Sequence, residues 1–189
     1  LDLFTSRAEK AEEQLEKDIK ITQDNTDKKK KIFDKELEEA IKKGDTEYRL
    51  AQSRRATEEE LTALKLKNLN DQKKIAEKYR GEEQDAWETY AEEIVTLESS
   101  INAGEDILTK AFGKSREELK KLSKAEKDQW YRDYQDRTTV QERADAAAIN
   151  RRIINAKEDL ALAEENFKIK EIAMNEYKNS PICNRAILK

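Results

Sequence analysis

Between Trp87 and Ala111, apolar side chains recur at alternating steps of three and four residues. The series is Trp87, Tyr90, Ile94, Leu97, Ile101, Leu108 and Ala111, with Gly104 in the one empty slot. On an α-helix this spacing gathers the side chains into a single narrow stripe, leaving Glu, Asp, Thr and Ser on the other faces. A stripe this narrow is the seam of a coiled coil rather than the face of a globular core. A second seam runs through Ala146, Ile149, Ile153, Ala156, Leu160, Ala163, Phe167, Met174 and Tyr177. Two seams separated by a short segment predict an all-α chain, an elongated antiparallel coiled-coil helical hairpin closed by a small helical head. Leu97 and Ile153, at comparable distances from that head, are expected to face each other.

Composition agrees with long exposed helices. Charged residues make up 42% of the chain, against roughly 25% in ordinary globular domains. Four Gly and one Pro leave few turns, which disfavours a many-stranded fold. Basic and acidic residues number 38 and 42, and they interleave at helical spacing, as in Glu13/Lys17, Glu38/Lys42 and Glu164/Lys168. Each such pair supports an exposed helix by roughly 0.2–0.5 kcal/mol. With a net charge of −4 there is no bulk field to attract nucleic acid or anionic lipid, so a nucleic-acid partner is disfavoured. Membrane insertion is disfavoured as well, because no apolar run approaches the roughly 18 residues of a candidate span. The single cysteine, Cys183, leaves the redox compartment undecided.

Taken in order, residues 1–44 read as an N-terminal helical arm with the stripe Phe4, Ala8, Ala11, Leu15 and Ile19. The stripe lapses over the ten residues from Thr22 to Lys31 and resumes in phase at Phe33 and Leu37. Lys42-Lys43-Gly44-Asp45-Thr46 combines basic residues, a glycine and a helix-start residue, which predicts a turn at Gly44. Residues 45–112 then form a long central helix. Thr57-Glu58-Glu59-Glu60 has the form of a capping box but lies where that helix can continue. Ser115 with Glu118, and Ser123 with Glu126, predict two short helices in a head spanning 113–137. A return helix covers 138–178 and ends before Pro181, and 179–189 is a tail. If Gly44 turns the chain, the N-terminal arm packs alongside as a third helix.

The residues for catalysis are missing. Without histidine, the commonest general base and the commonest metal ligand are both absent. Cys183 has no neighbouring base, no Glu-x-x-His pair offers a di-metal site, and no glycine-rich loop offers a phosphate cradle. The chain is therefore expected not to be an enzyme, with no catalytic residue, no metal and no cofactor. Lys28-Lys29-Lys30-Lys31 lies among Asp24, Asp27 and Asp34 and reads as a solvated helix face. The suggestive cluster is Trp130, Tyr131 and Tyr134, because Trp and Tyr are favoured at recognition hot spots. Trp130 and Tyr134 share a face and are expected to pack on Leu119 and Leu122. Tyr131 points elsewhere and is the expected partner contact. Trp87, Tyr90, Ile94, Leu97, Ile101, Leu108, Ile149, Ile153, Leu160 and Phe167 are expected in the seams.

The expected function is that of a structural or interaction rod that spaces or assembles a larger machine through protein partners, with self-association open. The alternative is a receptor-binding arm of a toxin, recognising its target through the head. The stretch Arg54–Leu97, RRATEEELTALKLKNLNDQKKIAEKYRGEEQDAWETYAEEIVTL, resembles the helical segments of phage tail tape-measure proteins. The hairpin with its compact tip is similar to the coiled-coil receptor-binding arms of colicin-type bacteriocins. The first likeness implies a rod assembled inside the cell, and the second implies secretion and an outer-membrane receptor. Neither assigns a role to a particular residue.

Overall fold

The computed structural model describes residues 2–178, with side chains from residue 9 onward. The tail 179–189, with Cys183, and the side chains of Phe4 and Ala8 lie outside the described residues. Among those residues 94% are helical and none is in a strand, so the chain is all-α. The helices are α1 (Asp2–Ser53), α2 (Glu58–Phe112), α3 (Arg116–Lys121), α4 (Lys124–Arg137) and α5 (Val140–Lys178). They divide between two compact units. One comprises Leu1–Tyr90 with Glu165–Lys189, the other Ala91–Glu164.

In the first unit, α1 meets the early part of α2 at Lys29–Glu83, Phe33–Tyr79 and Glu47–Lys67. Numbers rise along α1 as they fall along α2, so the two run antiparallel across these contacts. The end of α5 joins them through Phe167 on Trp87, whose rings lie 5.0 Å apart, and Tyr177 on Phe33, 4.9 Å apart and edge-on. Phe33, Ala76, Tyr79, Ala173 and Tyr177 form the buried cluster here, with Leu37 and Ile75 packed against it.

Gly44 does not turn the chain. It is a buried residue inside α1, which runs on to Ser53. A Cβ at Gly44 would fall 2.6 Å from Cγ of Asn68, so the glycine lets α2 approach α1 closely. The turn comes instead at Arg54–Thr57, and the boundaries expected at 44 and 45 move there. Arg55 takes φ 59°, and its N–H donates to the Gln52 carbonyl while Ala56 N–H donates to that of Ala51. These crossed bonds form a Schellman cap, with an arginine where glycine is usual. The Thr57 hydroxyl then accepts from Glu60 N–H at 3.3 Å and starts α2, so the capping pattern passed over in the sequence is the real one.

In the second unit, Ile101, Leu108, Ala146 and Ile153 form the buried cluster, and Phe112, Ile149, Ala156 and Leu160 pack against it. Ile94 and Leu97 are half-buried, as Trp87 and Tyr90 are in the first unit. Ile153 lies against Gly104, where a Cβ would fall 2.8 Å from its Cγ1. The opposition expected between Leu97 and Ile153 is thus displaced to Gly104, the slot the seam leaves empty. Ala111 is exposed and the half-buried Phe112 closes the stripe in its place.

Candidate functional site

The head is built by local rules. Gly113, at φ 70°, ends α2 and donates its N–H to the Thr109 carbonyl at 2.8 Å. Ser115 and Ser123 each cap a helix reciprocally with Glu118 and Glu126, as their spacing predicts. Thr139 and Glu142 repeat the arrangement at the start of α5. The carboxyls of Glu118 and Glu142 are held below the usual range first by the capped backbone N–H. That of Glu126 is lowered first by the Ser123 side chain. Three consecutive capped starts let a short segment change direction without a large core, since each cap contributes roughly 0.5–2 kcal/mol.

The aromatics then fix α4 against the end of α2. Trp130 and Tyr134 stack, with ring centres 5.5 Å apart and planes 8° apart, and both meet Phe112 edge-on at 5.8 and 5.1 Å. The Phe112 carbonyl accepts from Trp130 Nε1 at 3.2 Å and from Arg137 Nη2 at 2.8 Å. Two side chains of α4 thereby satisfy a helix-end carbonyl that α2 itself leaves open. Phe112 is the centre that sequence reasoning missed, having placed Leu119 and Leu122 in that role. One signal was available: Phe112 directly precedes Gly113, the residue that forces the chain around.

Tyr134 is 5% exposed and Trp130 is half-buried, whereas Tyr131 is 52% exposed, so Tyr131 parts from the other two aromatics. Beside Tyr131 lies an open groove of about 750 Å³, floored by Phe112, Leu119, Tyr134, Ala146 and Ala147. Arg116, Lys120, Lys127 and Arg143 also line it. Arg116 bonds to the amide oxygen of Asn150, and Arg143 Nη1 donates to the carbonyls of Gln135 and Thr138 at 2.9 and 2.7 Å.

The first unit holds a separate polar cluster within its apolar stripes. Glu83 is wholly shielded from solvent, with Lys29 Nζ 2.9 Å from Oε1 and Lys170 Nζ 2.8 Å from Oε2. Lys29 also reaches Glu82 at 3.0 Å, and Lys170 donates to the buried Thr26 hydroxyl at 2.9 Å. Burial alone would push the Glu83 carboxyl up, but Lys170 and Lys29 together hold it below its ordinary value. Burial likewise opposes the charge on Lys29, and Glu83 and Glu82 raise it overall. The lysine run is therefore only partly a solvated face. Lys29 enters the cluster and Lys30 pairs with Glu176 at 2.7 Å, while Lys28 and Lys31 are exposed.

Among the described residues, no group of three or more His, Cys, Asp or Glu is placed to hold a metal ion, and no helix is long and apolar enough to cross a membrane. No protein-family model, curated protein or solved structure matches the chain.

Proposed function

We propose that this chain is a non-enzymatic interaction module. Its helices fold as an elongated antiparallel coiled-coil hairpin, with α1 as a third helix beside part of it, and the head binds a protein partner. The module would space or assemble components of a larger machine. The observation that carries the proposal is the division of labour among the head aromatics. Trp130 and Tyr134 are spent on Phe112, whereas Tyr131 stands half-exposed at an open, partly apolar groove. Elsewhere the helix surfaces combine ion pairs such as Lys157–Glu105 and Lys42–Glu38 with exposed aliphatic side chains such as Leu50, Val95 and Ile172, and among the described residues Tyr131 is the one large aromatic left exposed. The phage tape-measure and bacteriocin-arm likenesses both fit a helical module of this kind, and a receptor-binding toxin arm is its second form.

Small-angle scattering combined with a mass measurement tests the architecture. The expected result is a monomeric or self-associated particle much longer than it is wide. A compact globule of the same mass would end the proposal.

A further inference from the structure

We infer that the groove beside Tyr131 is a docking site for an acidic, apolar peptide segment of a partner protein. The inference rests on the proposal that the head is the partner-binding end, and it supplies the chemistry of the partner. Four cationic side chains, Arg116, Lys120, Lys127 and Arg143, line the groove, and no carboxylate does. That is a marked departure for a chain in which acidic residues outnumber basic ones and the two signs interleave. Two acids of the head, Glu118 and Glu126, are turned back onto the N-caps of their own helices. Lys120 has an exposed companion in Glu117 at 2.8 Å, a type of pair worth little in water. Lys127 makes no ion pair among the described residues.

The apolar half of the recognition comes from the floor and from two exposed side chains, Tyr131 at 52% and Ile154 at 40%. Pockets of this size and mixed lining bind ligands through apolar contact, with a few polar groups setting orientation. A partner with Asp or Glu flanking one or two large apolar side chains would complement both features. Complementary charge of this kind raises association rate and fixes register. A long polyanion fits less well. It would extend beyond four cations onto a chain of net charge −4, and Trp130 and Tyr134 are stacked on each other rather than free to stack on bases.

The test is a selection from a displayed random-peptide library on the full 189-residue chain, followed by affinities of the selected peptides as free synthetic peptides. The expected winners combine Asp or Glu with Leu, Ile, Phe or Trp, and their binding weakens as salt rises. The double variant Lys120→Glu, Lys127→Glu should lower affinity by about tenfold or more. The control pair Lys28→Glu, Lys31→Glu, in exposed positions of α1, should leave it unchanged, and circular dichroism should give the same helix content for all three proteins. Selection of neutral or basic peptides, or of none, would overturn the inference. So would equal binding by the Lys120/Lys127 variant, or tighter binding of a single-stranded oligonucleotide lost in that variant. If Tyr131→Ala weakens the peptides but charge reversal does not, the head remains the binding end and only the acidic partner is wrong. If neither matters, the head itself is not the binding end.

Discussion

Glu83 Oε2 and Lys170 Nζ meet at 2.8 Å, with the glutamate side chain wholly buried. Both residues occupy slots that the apolar stripes would otherwise fill. Lys170 lies between Phe167 and Met174, and Glu83 between Tyr79 and Trp87. On α1 the polar residues Thr26 and Lys29 complete the layer. One carboxylate thus ties three helical segments at a single level, and a slip of any segment would leave a buried charge alone. Removing one member of such a group typically costs about 3–5 kcal/mol, whereas replacing all members by apolar residues can be neutral or stabilising. Glu83→Ala should therefore lower the urea midpoint sharply. The triple variant Lys29→Met, Glu83→Leu, Lys170→Leu should restore or exceed it. If Glu83→Ala proves neutral, the cluster does not hold the segments in register.

The same group contributes to the pH response. The Glu83 carboxyl lies below its ordinary value in the folded protein, so its contribution is present above an unfolded value of about 4.3 and is lost as pH falls through the folded one. On the alkaline side, burial raises the Tyr177 and Tyr79 phenols, and Glu83 and Glu82 raise Lys29. Contributions from raised groups are complete below unfolded values of about 10 and are lost as pH rises through the folded ones. Stability measured by urea unfolding should be nearly flat from about pH 5 to 9 and fall on both sides. Tyr177→Phe should flatten the alkaline limb more than the acid one.

Glycines at matched helical sites should respond oppositely. Nothing lies within 4 Å of a Cβ built at Gly81, so Gly81→Ala should stabilise by up to about 1 kcal/mol through helix propensity. At Gly104 the new methyl would meet Ile153 Cγ1 at 2.8 Å, and Ile153 is only 2% exposed. The crowding should cost about 1–3 kcal/mol and outweigh the propensity gain. Thermal melts of the two variants should move in opposite directions.

Arg55 offers a gain of another kind. Its left-handed conformation strains a residue with a Cβ by roughly 1–2 kcal/mol, while glycine adopts it freely. Arg55→Gly should raise the melting temperature by a few degrees without altering helix content. A fall in stability would mean that the arginine side chain contributes more than its backbone conformation costs.

The contrast between Gly44 and Arg55 explains why some of the fold was legible in the sequence and some was not. The all-α class, most of the stripe residues and the capping pairs Ser115/Glu118 and Ser123/Glu126 follow from local spacing alone, and the Thr139/Glu142 pair has the same spacing but was missed. A glycine after two lysines looks the same whether it ends a helix or admits a neighbouring one, and only Asn68 on α2 distinguishes the two cases. Arg55 carries no chemical sign of a left-handed cap. The polar layer was hidden differently. The stretch from Thr22 to Lys31 has no apolar side chain and so reads as a lapse in the stripe, although Thr22, Thr26, Lys29 and Phe33 keep the four-and-three spacing. In the head, the separation of Tyr131 from Trp130 and Tyr134 follows from helical geometry. The role of Phe112 needed the path of the chain beyond Gly113.

That separation gives the sharpest test of the head. Trp130 stacks on Tyr134, meets Phe112 edge-on and donates to the Phe112 carbonyl, so Trp130→Ala removes packing and a capping bond together. The expected loss is about 3–5 kcal/mol, read as an earlier melt and the loss of protection of amides near residues 112–137. Trp130→Phe should recover part of the packing but not the bond to the carbonyl, and so fall between the two. Tyr131 is half-exposed, and Tyr131→Ala should change stability by no more than about 0.5 kcal/mol, as for most surface substitutions. Its effect should instead be on partner affinity, because a rigid aromatic at the edge of a groove loses little entropy on binding. If Tyr131→Ala melts as early as Trp130→Ala and leaves binding intact, then all three aromatics merely close the tip.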